Sequence, residues 1–287
     1  MKISEILNSG KVTVSCELFP PKKDDDIGRV KEVVRGISAL KPDFMSVTYG
    51  AGGGTSKNTT RIASEIQNCG VTALAHLTCV SSTKEEVGQI LSGLKENNID
   101  NILALRGDIP QDSAFPCAGH YRFASELVAE IKEHGGFCVG AACYPEGHVE
   151  CAHREDDIGY LKQKVDSGCD FLTTQMFFDN NILYHFLYRI LARGIHIPVV
   201  AGIMPVTNSG QIKRICSLSG TELPPRFKAI VDKFADKPAA MKQAGIAYAT
   251  EQIIDLISNG VNAIHIYTMN KPEIAEKIMD NLSEIIR

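Results

Sequence analysis

Eight short apolar runs, separated by longer amphipathic stretches, leave this chain few folds to adopt. The runs are VTVSCELF (12–19), FMSVTY (44–49), VTALAHLTC (71–79), NILALRG (101–107), FCVGAACY (137–144), FLTTQMF (171–177), IPVVAGIM (197–204) and NAIHIYT (262–268). Each has the length of a strand and is apolar nearly throughout, as strands buried on both faces are. Between them, stretches such as IGRVKEVVRGISAL (27–40) and STKEEVGQILSGLKENN (82–98) carry apolar residues at helical spacing. Glycine or asparagine stops several of these, at Gly70, Asn97, Asn98, Gly135, Gly168 and Gly194. The longest gap, 205–260, has room for more than one helix. Strands alternating with helices, without a linker anywhere in 1–287, predict a single-domain α/β fold, the (β/α)8 TIM barrel. An open doubly wound sheet would need a glycine-rich turn after its first strand, where this chain has Pro20 and Pro21.

Composition narrows function more than fold. A formal net charge of −4 and a pI near 6.1 advertise no basic face, which argues against nucleic acid as a partner. No run approaches a membrane span or a signal peptide, so no membrane association and a cytoplasmic location are expected. The nine cysteines never fall as C-x-x-C. Cys138 and Cys143 lie five residues apart on one strand and should point to opposite faces, while Cys16, Cys79 and Cys169 sit in or beside apolar runs. Reduced thiols are expected, not an iron–sulfur cluster.

The stretch VSCELFPP (14–21) places one carboxylate, Glu17, near the end of a buried strand that two prolines terminate. Desolvating an ionised carboxylate is costly. Glu17 is therefore either a rim residue paired to Lys22 or Lys23, or an acid held at the mouth of an active site. In a TIM barrel the active site lies at the carboxyl ends of the strands. There stand Glu17, Thr48 and Tyr49, His76 and Thr78, Arg106 and Asp108, Tyr144, Gln175, and Tyr267 with Asn270, from seven of the runs. Solubility does not require that convergence.

Individual motifs say less. The loop YGAGGGTS (49–56) is either a phosphate-cradling nest or a flexible cover over the barrel mouth. In LRGD, Arg106 and Asp108 either pair with each other or both reach a ligand. His148 in YPEGH leaves a strand end together with Tyr144, though a lone loop histidine would need no function. No H-x-H, H-x-x-E-H or G-x-S-x-G occurs, so neither a metal site nor a serine nucleophile is expected. An acid, an aspartate, amides and aromatics suit a bound organic cofactor that the protein orients while it supplies a proton.

In order along the chain occur CELFPPK, VTYGAGGG, HLTC, LRGD-P, AAxYPEGH, TTQxFFD, GIMPVTN and IHIYTMN. This series resembles the motifs of the methylenetetrahydrofolate reductases, flavin enzymes that make 5-methyltetrahydrofolate, from about residue 10 to 275. The resemblance implies a (β/α)8 barrel binding FAD at the strand carboxyl ends, similar to the bacterial form without a regulatory domain. It implies that Glu17 is the general acid, protonating 5,10-methylenetetrahydrofolate so that its methylene bridge opens to a 5-iminium cation. Asp108 then stabilises that cation near both flavin and folate. Tyr49, His76, Arg106, Gly107, Asp108, Ala124, Tyr144, His148, Asp157 and Lys164 fall on positions that hold FAD. Gln175 falls on a folate ligand, Thr48 near the nicotinamide, and Lys271 at the folate's glutamate tail.

Three positions depart from the enterobacterial pattern. Ser209, followed by Gly210, replaces a phenylalanine that packs on nicotinamide or folate, and Phe177 or Phe178 is the candidate to fill the gap. Lys271 replaces an arginine and loses the bidentate fork. Gln163 replaces a flavin-side arginine. The electron donor is thus open between NAD(P)H and an electron-donating partner protein, and a homo-oligomer is also left open. Two other readings stand beside the reductase: an electron-relaying flavoprotein subunit of a complex, and a folate or pterin methyltransferase without flavin.

Overall fold

Eight parallel strands close on themselves in chain order: β1 (Thr13–Leu18), β2 (Phe44–Val47), β3 (Thr72–Thr78), β4 (Asn101–Leu105), β5 (Cys138–Cys143), β6 (Phe171–Thr174), β7 (Val199–Ile203) and β8 (Ala263–Tyr267), with β8 pairing back onto β1. The computed structural model describes residues 1–21, 26–49, 56–80, 82–109 and 119–286. Helices α2 (Ile27–Ser38), α3 (Ser56–Asn68), α4 (Lys84–Glu96), α5 (Ala124–His134), α6 (Arg154–Asp166) and α7 (Asn180–Ala192) connect successive strands and surround the barrel. The expected (β/α)8 architecture is the observed one. Lys22, Lys23 and the glycines of the 50–55 loop lie outside the described residues, and so do the lysine pairing and the phosphate nest suggested for them.

Side-chain alternation along each strand builds two cores. Val14, Cys16, Leu18, Met45, Val47, Ile102, Ala104 and Cys143 face outward, packing under the helices. Phe44, Leu74, Leu103, Cys138, Phe171 and Val200 face inward and fill the amino-terminal half of the barrel. Cys138 and Cys143 therefore do lie on opposite faces. A five-residue helix, α1 (Ile3–Leu7), closes the amino-terminal end, with Ile3 fully buried against the inner cluster and its N–H donating to Asn101 Oδ1 at 2.8 Å. Periodicity cannot announce so short a helix, and the sequence reading had not assigned it.

Local chemistry sets several helix starts. Thr83 begins α4 with a capping box: its Oγ1 accepts from the Glu86 N–H at 3.2 Å, and Glu86 accepts from the Thr83 N–H at 2.8 Å. Asp179 caps α7 by accepting from the Asn181 N–H at 2.9 Å. The 205–260 gap holds α8 (Ser209–Ser219), α9 (Pro225–Lys233) and α10 (Pro238–Ser258), and α11 (Pro272–Asn281) follows β8. Helices α8, α9 and α10 pack on a third cluster beside the carboxyl ends of β6 and β7, in which Phe227 stacks on Tyr248 at 3.9 Å. Among the described residues no helix is long and apolar enough to cross a membrane.

Candidate functional site

Toward the carboxyl ends of the strands the barrel interior turns polar. Ser15, Glu17, Ser46, His76, Thr173 and His265 are all buried there. Strand register brings them together, with Glu17 beside Ser46 on one side and Tyr267 on the other, and Ser15 beside His265. Glu17 is 7% exposed, and its Oε2 lies 3.7 Å from His76 Nε2 and 3.8 Å from His265 Nε2. Burial lowers His76 to about 4, against the pull of the Glu17 carboxylate, so the imidazole is neutral at physiological pH. Its Nε2 makes no hydrogen bond among the described residues. Glu17 is thus a carboxyl buried in the barrel between two imidazoles, not a surface ion pair.

Two rim residues turn out to be structural. The Tyr267 hydroxyl donates to the Thr174 carbonyl at 2.6 Å, tying β8 to β6 across β7. Gly202 on β7 permits this, since a Cβ there would stand 2.5 Å from both the Tyr267 oxygen and the Thr174 carbonyl. Asn270 accepts from the Phe19 N–H at 2.8 Å and donates to the Phe19 carbonyl at 3.0 Å, clamping the chain where it leaves β1. Thr268 adds a bond from its hydroxyl to the Glu17 carbonyl at 2.6 Å. These contacts hold the Glu17 backbone in place.

A second group comes from the ends of β4 and β5, the loop after β5, and α6, where Asp157 lies in the first turn and Lys164 in the last. Arg106 gives both guanidinium ends to Glu150, each at 2.6 Å, and that bond raises the Arg106 pKa. Arg106 thus pairs with Glu150 on the loop after β5, and not with Asp108, which is exposed. Tyr144 and His148 meet edge to face at 4.6 Å. His148 is pulled down by desolvation, with Glu150 opposing, and its Nδ1 accepts from the Glu150 N–H at 3.2 Å. Asp157 is raised by desolvation, opposed chiefly by a backbone hydrogen bond from His148. Lys164 donates to the Ala142 carbonyl at 2.5 Å and is lowered by desolvation. Gly107, at φ +86°, sits where a Cβ would meet the Thr78 side chain at 3.0 Å.

This donor set fits an anionic dinucleotide. Glu150 presents two oxygens to the Arg106 fork just as a phosphate would, and a lysine and an imidazole stand alongside. Asp157, Tyr144 and Gly107 belong to the same set that the resemblance assigned to FAD, as does exposed Asp108, whereas His76 lies beside Glu17, Tyr49 is half-buried against the main core and Ala124 opens α5. Gln163 is exposed on α6, on the helix that turns Lys164 inward.

The residues assigned to folate and donor are more dispersed. Gln175 accepts from the Met176 N–H at 3.1 Å, and Thr48 carries its carbonyl to the Thr59 hydroxyl at 3.1 Å. Lys271 donates to Thr207 Oγ1 at 3.1 Å, which links the chain after β8 to the loop after β7. Ser209 begins α8, bonded to the Ala235 carbonyl at 3.3 Å, and Gly210 beside it is exposed. Phe177 and Phe178 are buried at 0% and 2% exposure. Phe178 packs on Phe227 at 5.2 Å in the third cluster, and Phe177 lies in the main core. Sequence reasoning missed His265, although strict alternation in IHIY set it on the same face as Tyr267.

Comparison with known proteins agrees with this geometry. The family model for methylenetetrahydrofolate reductase matches residues 2–283. The 5,10-methylenetetrahydrofolate reductases of Pectobacterium carotovorum subsp. carotovorum and Escherichia coli K12 are each 34% identical over 274 residues, covering 95% of this chain and 91% of theirs. Methylenetetrahydrofolate reductase (NADH) 1 of Arabidopsis thaliana is 34% identical over 299 residues, and the chain spans about half of that relative's length. Among solved structures, an uncharacterized Clostridium thermocellum protein that binds two copies of 5-methyl-5,6,7,8-tetrahydrofolic acid superposes with a TM-score of 0.66. At 14% identity and 99% coverage of both chains, that is a likeness of fold.

Proposed function

Because the chain belongs to the methylenetetrahydrofolate reductase family, we propose that it reduces 5,10-methylenetetrahydrofolate to 5-methyltetrahydrofolate with FAD as its flavin. The observation that carries this reading is Glu17, a carboxyl buried between two imidazoles at the carboxyl end of the barrel. Glu17 delivers a proton to the folate so that the methylene bridge opens to the 5-iminium cation. Asp108, exposed beyond β4, offers that cation a fixed negative charge. FAD, when bound, supplies the hydride that reduces the one-carbon unit. Arg106, His148 and Lys164 hold its phosphates, with Tyr49, His76, Gly107, Ala124, Tyr144 and Asp157 completing the site. Gln175 orients the folate ring, Lys271 attracts the carboxylates of its glutamate tail, and Thr48 lies on the donor's approach. The Clostridium thermocellum neighbour, which binds a methylated folate in the same fold, supports the substrate class.

Two measurements test the reading. Cofactor released from the purified protein should run with FAD on chromatography, and recovery of FMN or of no flavin would sink the assignment. Glu17→Gln keeps the shape and hydrogen bonding of the side chain but has no proton to deliver. It should slow reoxidation of the reduced flavoprotein by methylenetetrahydrofolate about 100- to 10,000-fold, leaving reduction of the flavin by its donor within about twofold. Equal loss in both half-reactions would make Glu17 a structural residue.

A further inference from the structure

His265 lies 2% exposed on β8 and the proposed chemistry gives it no task. Every side of its ring is occupied. Phe44 stacks on it at 6.1 Å, Tyr267 meets it edge-on at 5.4 Å, and Ser15 and Ser46 stand at its two nitrogens. The hydrogen bonds decide which nitrogen carries the proton. With the Ser15 hydroxyl hydrogen given to the Ile264 carbonyl, 3.0 Å away and able only to accept, the serine oxygen is left as an acceptor toward the ring. Toward His265 Nδ1, 2.7 Å away, the same oxygen must then accept, which puts the ring hydrogen on Nδ1. The lone pair left on Nε2 takes the Ser46 hydroxyl hydrogen at 3.2 Å. Nε2 has nothing to donate to Glu17 Oε2, 3.8 Å beyond it.

We propose that His265 is a positioning residue for Glu17: Ser15 and Ser46 hold its ring in the Nδ1–H form, so the imidazole walls the carboxyl in without donating to it. The alternative tautomer would put an N–H on Nε2, to be shared between Ser46 Oγ at 3.2 Å and Glu17 Oε2 at 3.8 Å. A donor there binds the carboxylate form of an acid and opposes the proton delivery for which the site is built. The inference rests on the acid role of Glu17 and adds that this role requires a particular histidine tautomer. It also gives work to two buried serines, Ser15 and Ser46.

The protein has eight histidines, so selective 15N labelling of the imidazoles resolves their tautomers, with the His265 signal assigned by its loss in His265→Gln. Nδ1–H is expected in the wild type and Nε2–H in Ser15→Ala; Nε2–H in the wild type overturns the proposal. Kinetics supplies the second arm, read as reoxidation of the reduced flavoprotein by methylenetetrahydrofolate. His265→Gln keeps a polar atom near the Nε2 position and should stay within about threefold. His265→Asn keeps one only near Nδ1 and should be slowed about tenfold or more, as should Ser15→Ala. Added to Glu17→Gln, neither slow variant should cost anything further, since both act through the acid. Equal rates in the two His265 variants, or losses that multiply with that of Glu17→Gln, would overturn the proposal. If His265→Asn does not fold, Ser15→Ala carries the kinetic arm alone. Fast reoxidation in Glu17→Gln itself overturns the acid role, and the nitrogen spectra still decide the tautomer.

Discussion

His76 shows how a single buried residue couples site and stability. It is 6% exposed beside Glu17, and desolvation holds its imidazole at about 4 although the neighbouring carboxylate pulls the other way. In the unfolded chain the same ring titrates near 6.5. The folded value is the lower one, so the unfolded state takes the proton first as pH falls. Stability present above about pH 6.5 is therefore lost progressively down to about pH 4. That interval corresponds to roughly 3 kcal/mol. Urea unfolding between pH 7 and 4.5 should show the wild type losing stability faster than His76→Gln. Parallel declines would assign the acid sensitivity to other groups. At this scale the sequence was informative where a residue's place in a motif was enough. Glu17 and Arg106 lie at or just past the ends of β1 and β4, where a barrel brings strand ends together, whereas Lys164 reaches the Ala142 carbonyl from the last turn of α6. The Glu150 partner of Arg106 and the His265 contact with Glu17 were hidden, since both depend on which neighbouring strand or loop a side chain meets.

Among the elements, strand positions were readable from apolar runs, but strand ends were not. The run 171–177 continues past β6, which stops at Thr174, because Phe177 and Phe178 remain apolar while packing outside the sheet. Apolar character marks burial, and burial does not distinguish a strand from the turn that follows it. The segment between β7 and β8 carries Ser209, where the enterobacterial pattern has a phenylalanine. Asn208 caps α8 by accepting from the Gln211 N–H at 2.9 Å, so Ser209 is fixed as the first helical residue, with Gly210 open beside it. Phe177 and Phe178, the two aromatics the sequence offered in place of that phenylalanine, are buried in the main and third clusters. One stacking partner is worth about 0.5–1.5 kcal/mol, which is up to about tenfold in affinity. Flavin reduction by NADH should accordingly saturate poorly, and Ser209→Phe should lower the half-saturating concentration several-fold without altering folate reoxidation. Saturation of the unaltered chain at low micromolar NADH would refute this account of the donor.

Taken as a whole, the barrel separates stability from chemistry along its axis. Its amino-terminal half is filled by Phe44, Leu74, Leu103, Cys138, Phe171 and Val200 and stoppered by Ile3, whereas the carboxyl-terminal half carries Glu17, His76 and His265. From Thr13 to Glu17 the strand climbs about 13 Å, so the plug and the acid share no contact. Ile3→Ala would remove a fully buried side chain and leave a cavity that the rigid strands around it cannot collapse. Such truncations cost about 2–5 kcal/mol, and in a chain of this size the melting temperature should drop by roughly 5–10 °C. The rate of flavin reoxidation by methylenetetrahydrofolate, measured well below that transition, should stay within about twofold of the unaltered protein. The two halves meet through the strand backbones and through the Phe44 ring stacked on His265, and a cavity at one end does not shift side chains at the other if those strands are stiff. A parallel loss of reoxidation rate would show instead that the barrel transmits packing defects along its axis. The Phe44–His265 stack, where the inner apolar cluster meets the Ser15–His265–Ser46 layer, would then be the first place to look for the displacement.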